Sequence, residues 1–137
     1  MSQHAVSLAI FAMVSWGVWT VLANEATRSI EPEVAMILSY GASVVVALGY
    51  VAVQSDPITF ERTGVGLALL AGVFAGIGAI AFYAGLSVGR AGIVTTVSAL
   101  YFIVAALLGV VFLGESLSVT DTLGIGFAAL AVALIAQ

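Results

Sequence analysis

The sequence predicts an all-α integral membrane protein, a bundle of about five transmembrane helices, and three observations carry that expectation. Apolar residues make up 63% of the chain and charged residues only 7%, whereas a soluble domain carries roughly 25% charge to cover its surface. The mean hydropathy is +1.26. The uncharged stretches come in runs of about 20 residues, the length at which a helix crosses the roughly 30 Å hydrocarbon core. The runs are continuous, not alternating, which argues against the strands of a membrane barrel.

Five runs follow in order. The first covers 5–23 and is closed by Asn24, Glu25 and Arg28. No positively charged segment precedes it, so it reads as a retained first helix, not as a cleaved leader. The second covers 34–53, opened by Glu31-Pro32-Glu33 and closed by Gln54-Ser55-Asp56-Pro57. Proline suits a helix start, where its missing N–H breaks no bond. The third covers 65–86, between Arg62 and Arg90, and the fourth covers 93–113, ending at Gly114-Glu115. The fifth covers 121–137, with Asp121 expected as its N-cap. Connections this short join antiparallel neighbours.

Composition also excludes. There is no cysteine, and His4 is the one histidine. No nucleophile–base–orienter set, paired carboxylate or metal cluster is present, so we expect no enzyme, no catalytic residue, no metal and no cofactor. The basic residues are Arg28, Arg62 and Arg90 in a chain of net charge −4, which gives nucleic acid no basic patch to meet. Arg28 and Arg90 fall on one side of the membrane and Arg62 on the other. That is a weak positive-inside bias, voting for an outside N-terminus and compatible with dual topology. No charged residue lies deep within a span, where ion pathways would need one. Glu115 and Arg90 come nearest, both at helix ends.

Gly72-Val73-Phe74-Ala75-Gly76 and Gly85-Leu86-Ser87-Val88-Gly89 are small-residue motifs that let helix backbones approach closely. They fit packing within one subunit or a dimer seam, and the sequence leaves both open. Trp16, Thr20 and Asn24 share one face of the first helix at i, i+4 and i+8. Ser39, Tyr40 and Ser43 fall together on the second, Tyr83 is on the third, and Thr95, Ser98 and Tyr101 recur at steps of three on the fourth. Of these, Trp16, Thr20, Tyr40, Ser43, Tyr83, Ser98 and Tyr101 are the candidate substrate-binding wall, aromatic with a few hydroxyls and suited to an amphipathic or uncharged solute. The alternative is that hydroxyls bond their own helix carbonyls and aromatic rings anchor at the interface.

Ala81-Phe82-Tyr83-Ala84-Gly85-Leu86, Gly89-Arg90-Ala91, Ser98-Ala99-Leu100-Tyr101, Phe112-Leu113-Gly114-Glu115-Ser116-Leu117 and Gly124 follow in order through the C-terminal half. With the N-terminal Ser15-Trp16-Gly17-Val18-Trp19, they resemble the EamA domain, the repeat unit of the drug/metabolite transporter superfamily. Most members of that family carry two units in ten helices. A five-helix chain is similar to the short bacterial and archaeal branch and is equivalent to one half of a ten-helix inverted-repeat transporter. The resemblance implies a cell-membrane transporter of a small organic metabolite or amphipathic solute by alternating access. It implies two five-helix units working together, as a homodimer and by inversion an antiparallel one, with membrane lipid and a small-molecule substrate as partners. It leaves two alternatives: a subunit of a lipid-linked sugar flippase, with Arg90 meeting a lipid phosphate, and a non-transporting structural or regulatory subunit. One position departs from the pattern. Phe102 stands where the family has proline after Ala-Leu-Tyr, which restores a backbone N–H and removes a source of kinking.

Overall fold

The structure is a computed structural model that describes residues 3–54 and 58–135. Ser55, Asp56 and Pro57, expected to close the second span, and the last two residues of the fifth run lie outside the described residues. The described chain is helical throughout: α1 (Gln3–Ala26), α2 (Pro32–Val53), α3 (Arg62–Val88), α4 (Ala91–Ser98), α5 (Tyr101–Leu113) and α6 (Val119–Ile135). Four segments are long and apolar enough to cross a membrane, namely α1, α2, α3 and the stretch Ala91–Leu113 that contains α4 and α5. With the shorter apolar α6 they make a membrane protein of roughly five helical passes. The chain divides into two compact units, Met1–Val88 and Gly89–Gln137.

In the first unit, each helix start has a physical reason. Pro32 occupies the first turn of α2 behind the N-cap Glu31, where the absent N–H is one of the four that no helix satisfies internally. At α3 the Glu61 carboxylate accepts the Thr63 N–H at 3.0 Å and the Gly64 N–H at 2.7 Å. Two orphan donors are thereby satisfied, and these bonds hold the Glu61 pKa below its usual 4.5. The side chains buried here are mostly small: Ala23 on α1, Ala35 on α2 and Ala79 on α3, beside Thr20, Tyr83 and Leu86. Small residues at the contacts let backbones come close, which is how helices associate when lipid supplies no hydrophobic drive. Large apolar side chains such as Phe11, Val46 and Phe74 stand outward, as a hydrocarbon solvent allows.

The second unit begins with a helix that stops early. α4 runs only eight residues, and α5 resumes at Tyr101 after Ala99 and Leu100. Both intervening residues keep right-handed dihedrals, φ −60° and ψ −18° at Ala99 and φ −61° and ψ −7° at Leu100, so the chain tightens without reversing. α5 ends at Gly114, whose φ of +68° places it in the left-handed region that glycine enters without penalty. The Gly109 carbonyl receives both the Gly114 N–H and, at 3.2 Å, the Glu115 N–H. α6 starts at Val119, two residues before the expected cap. Ser118 is the cap and Asp121 its partner: the Asp121 carboxylate accepts the Ser118 N–H and hydroxyl at 2.9 and 2.6 Å, and the Asp121 N–H donates to Ser118 Oγ at 3.1 Å. This reciprocal arrangement is a capping box.

Candidate functional site

Within the first unit, α1 and α3 run in the same direction with α2 antiparallel to both, and two polar side chains fix their register. The indole N–H of Trp19 donates to Ser39 Oγ on α2 at 2.9 Å. Five residues on, the Asn24 side-chain amide donates to the Leu86 carbonyl of α3 at 2.9 Å. That carbonyl lies in the last turn of its helix, where no further turn remains to satisfy it. Trp19 also stacks on Phe82, ring centroids 5.4 Å apart at 12°, and meets Tyr83 edge-on at 5.9 Å. Three helices are therefore joined around one indole.

Beside that indole lies a groove of about 360 Å³, lined by Trp19, Leu22, Ala23, Ala26 and Ile30, by Ala35, Leu38 and Ser39, and by Tyr83. It extends from the interior of α1 to the α1–α2 turn. No lining residue carries a charge. Tyr83 is 1% exposed, and its hydroxyl has no hydrogen-bond partner. An unmade hydrogen bond on a buried group costs about 1–3 kcal/mol, so this phenol stands out in the chemistry of the unit.

The residues expected from sequence fall in three places. Tyr83 lines the groove. Thr20 is buried but does not line it; its hydroxyl donates to the Trp16 carbonyl at 2.9 Å, and the Ser43 hydroxyl donates to the Ser39 carbonyl at 3.0 Å. Trp16 is 60% exposed and Tyr40 41%, so neither residue is buried. Ser98 and Tyr101 belong to the second unit, where they bracket the α4–α5 junction. Of the glycines expected to pack or dimerise, Gly72 and Gly76 have open space where a Cβ would stand, while Gly85 lies in the last turn of α3 and Gly89 just beyond it. Trp19 and Ser39 were not among the expected wall residues. The signal for Trp19 was present: Trp19, Ala23 and Ala26 recur at i, i+4 and i+7, one strip round the helix from Trp16. Pairing across helices, as with Ser39, leaves no mark in a single sequence.

The α4–α5 junction is the second feature a site needs. Its backbone bonds shorten to three-residue steps: Leu100 N–H to Val97 at 3.1 Å, Phe102 N–H to Ala99 at 3.3 Å and Ile103 N–H to Leu100 at 2.9 Å. The break begins about 12 Å, eight residues of helix rise, into a candidate span. It occurs without proline: Phe102 keeps its N–H and uses it in the longest of the three bonds.

No curated protein and no solved structure matches the chain. The sequence model of the EamA-like transporter family matches residues 3–137. A helical, multi-pass chain with that match has one classification: it is a cell-membrane protein and belongs to the EamA-like transporter family.

Proposed function

We propose that this transporter moves a small organic metabolite or amphipathic solute by alternating access, as an antiparallel homodimer of five-helix units. The observation that carries the reading is the interrupted fourth span. The chain there tightens into three-residue backbone bonds, and a stretch of that kind inside a helix often marks a functional hinge. Discontinuous helices with those properties form the substrate sites of inverted-repeat carriers. The Ser98 and Tyr101 side chains, which bracket the junction, are then the pathway groups of the second unit. The same body rocks about this junction, because its three-residue bonds are weaker than helical ones.

Two further facts support a second copy. The Gly72–Gly76 face of α3 is open, as most glycines of the described chain are, and a small-residue face permits a second helix to approach closely. Arg28 and Arg90 on one side are nearly balanced by Arg62 on the other, so insertion in both directions is cheap.

Single-cysteine labelling tests the reading together with flux. The chain has no cysteine of its own, so Ser29→Cys in the α1–α2 turn and Thr59→Cys before α3 report from a clean background. Each site is expected to label from both faces of the membrane, to crosslink as a dimer, and to accompany saturable solute uptake in proteoliposomes. A single orientation, or a folded dimer with no saturable uptake of any metabolite class, removes the antiparallel carrier.

A further inference from the structure

We propose that the α1–α2–α3 groove binds an uncharged amphipathic solute, its flat apolar body against the Trp19 indole and its one hydrogen-bond acceptor paired with the Tyr83 hydroxyl. The proposal rests on the transport reading only for what binding accomplishes, because the groove lies wholly within the first unit. Its volume of about 360 Å³ is within the range of small-molecule sites. Its lining residues are apolar apart from Trp19, Ser39 and Tyr83, none of them charged. The indole N–H is already committed to Ser39 Oγ.

Tyr83 differs. Its ring is part of the groove wall, while its hydroxyl is sealed from solvent and unpartnered. A solute that seats beside Trp19 and spreads the groove gives this donor its partner. The missing hydrogen bond is then made in the complex and unmade in the empty chain, so it favours binding. An ionised solute gains no such advantage. A carboxylate or ammonium would enter a groove with no charged lining residue, and an unpaired charge in apolar surroundings is far costlier than an unpaired carbonyl. Of the charges at the α1–α2 turn, Arg28 is paired with Glu25 at 3.1 Å, and Glu31 and Glu33 are not among the residues that line the groove.

The chemistry of the phenol gives a signature that a packing role does not. Tyr83→Phe removes a buried polar atom that nothing satisfies, so the empty protein becomes more heat-resistant. The same change removes the donor to the solute, so binding weakens. A merely structural tyrosine moves both in one direction or leaves binding alone.

Three naphthalene probes of nearly equal size test this: the neutral ketone 2-acetonaphthone, the anion 2-naphthoate and the cation 2-naphthylmethylammonium. Quenching of Trp19 fluorescence is followed in the full chain, carrying Trp16→Phe and reconstituted in nanodiscs. The ketone is expected to quench saturably and the two ions to bind at least tenfold more weakly. Tyr83→Phe is expected to weaken the ketone about fivefold, the equivalent of about 1 kcal/mol for one hydrogen bond, while raising the melting temperature. Equal binding of the ions, no saturable quenching by the ketone, or ketone affinity indifferent to Tyr83→Phe each overturns the proposal. Nanodiscs of acyl-brominated phosphatidylcholine supply the remaining arm. Quenching of Trp19 by that lipid which the ketone does not relieve means that an acyl chain holds the groove, and the proposal fails. Ketone binding with the Tyr83 signature but no flux leaves this site standing and removes the transport reading alone.

Discussion

Residues 3–88 and residues 89–135 both turn hydroxyls back on their own helices, and they differ in whether any polar side chain also reaches across to another helix. In the first unit Trp19 and Asn24 reach across to other helices, and α1, α2 and α3 run uninterrupted. In the second, Thr95, Thr96 and Thr122 turn their hydroxyls back on their own helices, at 2.7, 2.6 and 3.1 Å. Among the described hydrogen bonds, no side chain joins two helices of that unit. Its one long span is broken at Ala99 and Leu100. The difference teaches where each unit is firm: side chains latch the first, while the second is left soft at its backbone. Low local stability of this kind is what moving elements are drawn from.

The largest test of that contrast is a pair of prolines in α5. Phe102 is the second residue of the helix, and the N–H it would lose makes a 3.3 Å bond to the Ala99 carbonyl. Proline is tolerated in a first turn but costs about 3 kcal/mol or more in an interior. We expect Phe102→Pro to cost less than about 1 kcal/mol in SDS-titration unfolding, and Leu107→Pro to cost about 3 kcal/mol. Equal costs would mean that the break is not a helix start, and the softness assigned to the second unit would go with it.

A smaller effect separates the two kinds of polar side chain. Asn24→Ala removes a bond between helices and strands the Leu86 carbonyl, for an expected loss of about 1 kcal/mol, typical of interhelical bonds in membranes. Thr95→Val removes a bond within one turn, where the Ala91 carbonyl retains the backbone donor that helix geometry gives it. Its expected effect is within about 0.5 kcal/mol of zero. If Thr95→Val proves the costlier change, the latch is not where the first unit keeps its stability.

Much of this organisation was readable from residue order, and the exceptions have physical causes. The apolar runs and their polar closures, such as Asn24-Glu25 and Glu31-Pro32, mark where hydrocarbon ends, because charge is excluded from it. The family pattern running from Trp16 through Gly114-Glu115 was readable for the same reason: it is local. The break at Ala99 was not, since Thr95 to Leu113 contains no proline and its only glycine, Gly109, serves another purpose. A Cβ at Gly109 would collide with the Glu115 carboxylate, which folds back over it. Sequence also favoured Trp16 over Trp19, because Trp16 lies deeper in its span than an interfacial anchor should. Only the placement of α2 and α3 decides which indole is enclosed.

The smallest expected effect concerns the entry to α3. Glu61 is fully exposed, yet the Thr63 and Gly64 N–H groups hold its pKa below the usual 4.5. A carboxylate with a depressed folded pKa stabilises above its unfolded value and loses that contribution as pH falls through the folded one. The window therefore opens near pH 4.5 and extends downward, and nothing changes between pH 5 and 8 on this account. Protection factors for the Thr63 and Gly64 amides, corrected for intrinsic exchange, are expected to fall across that window. Those in mid-α3, around Ala75, should hold. Glu61→Gln keeps the shape and removes the titration, so its Thr63 and Gly64 protection should start lower at pH 7 and stay flat on acidification. A Gln variant that still loses protection below pH 4.5 would place the acid-sensitive group elsewhere, and the first unit would have a soft end of its own.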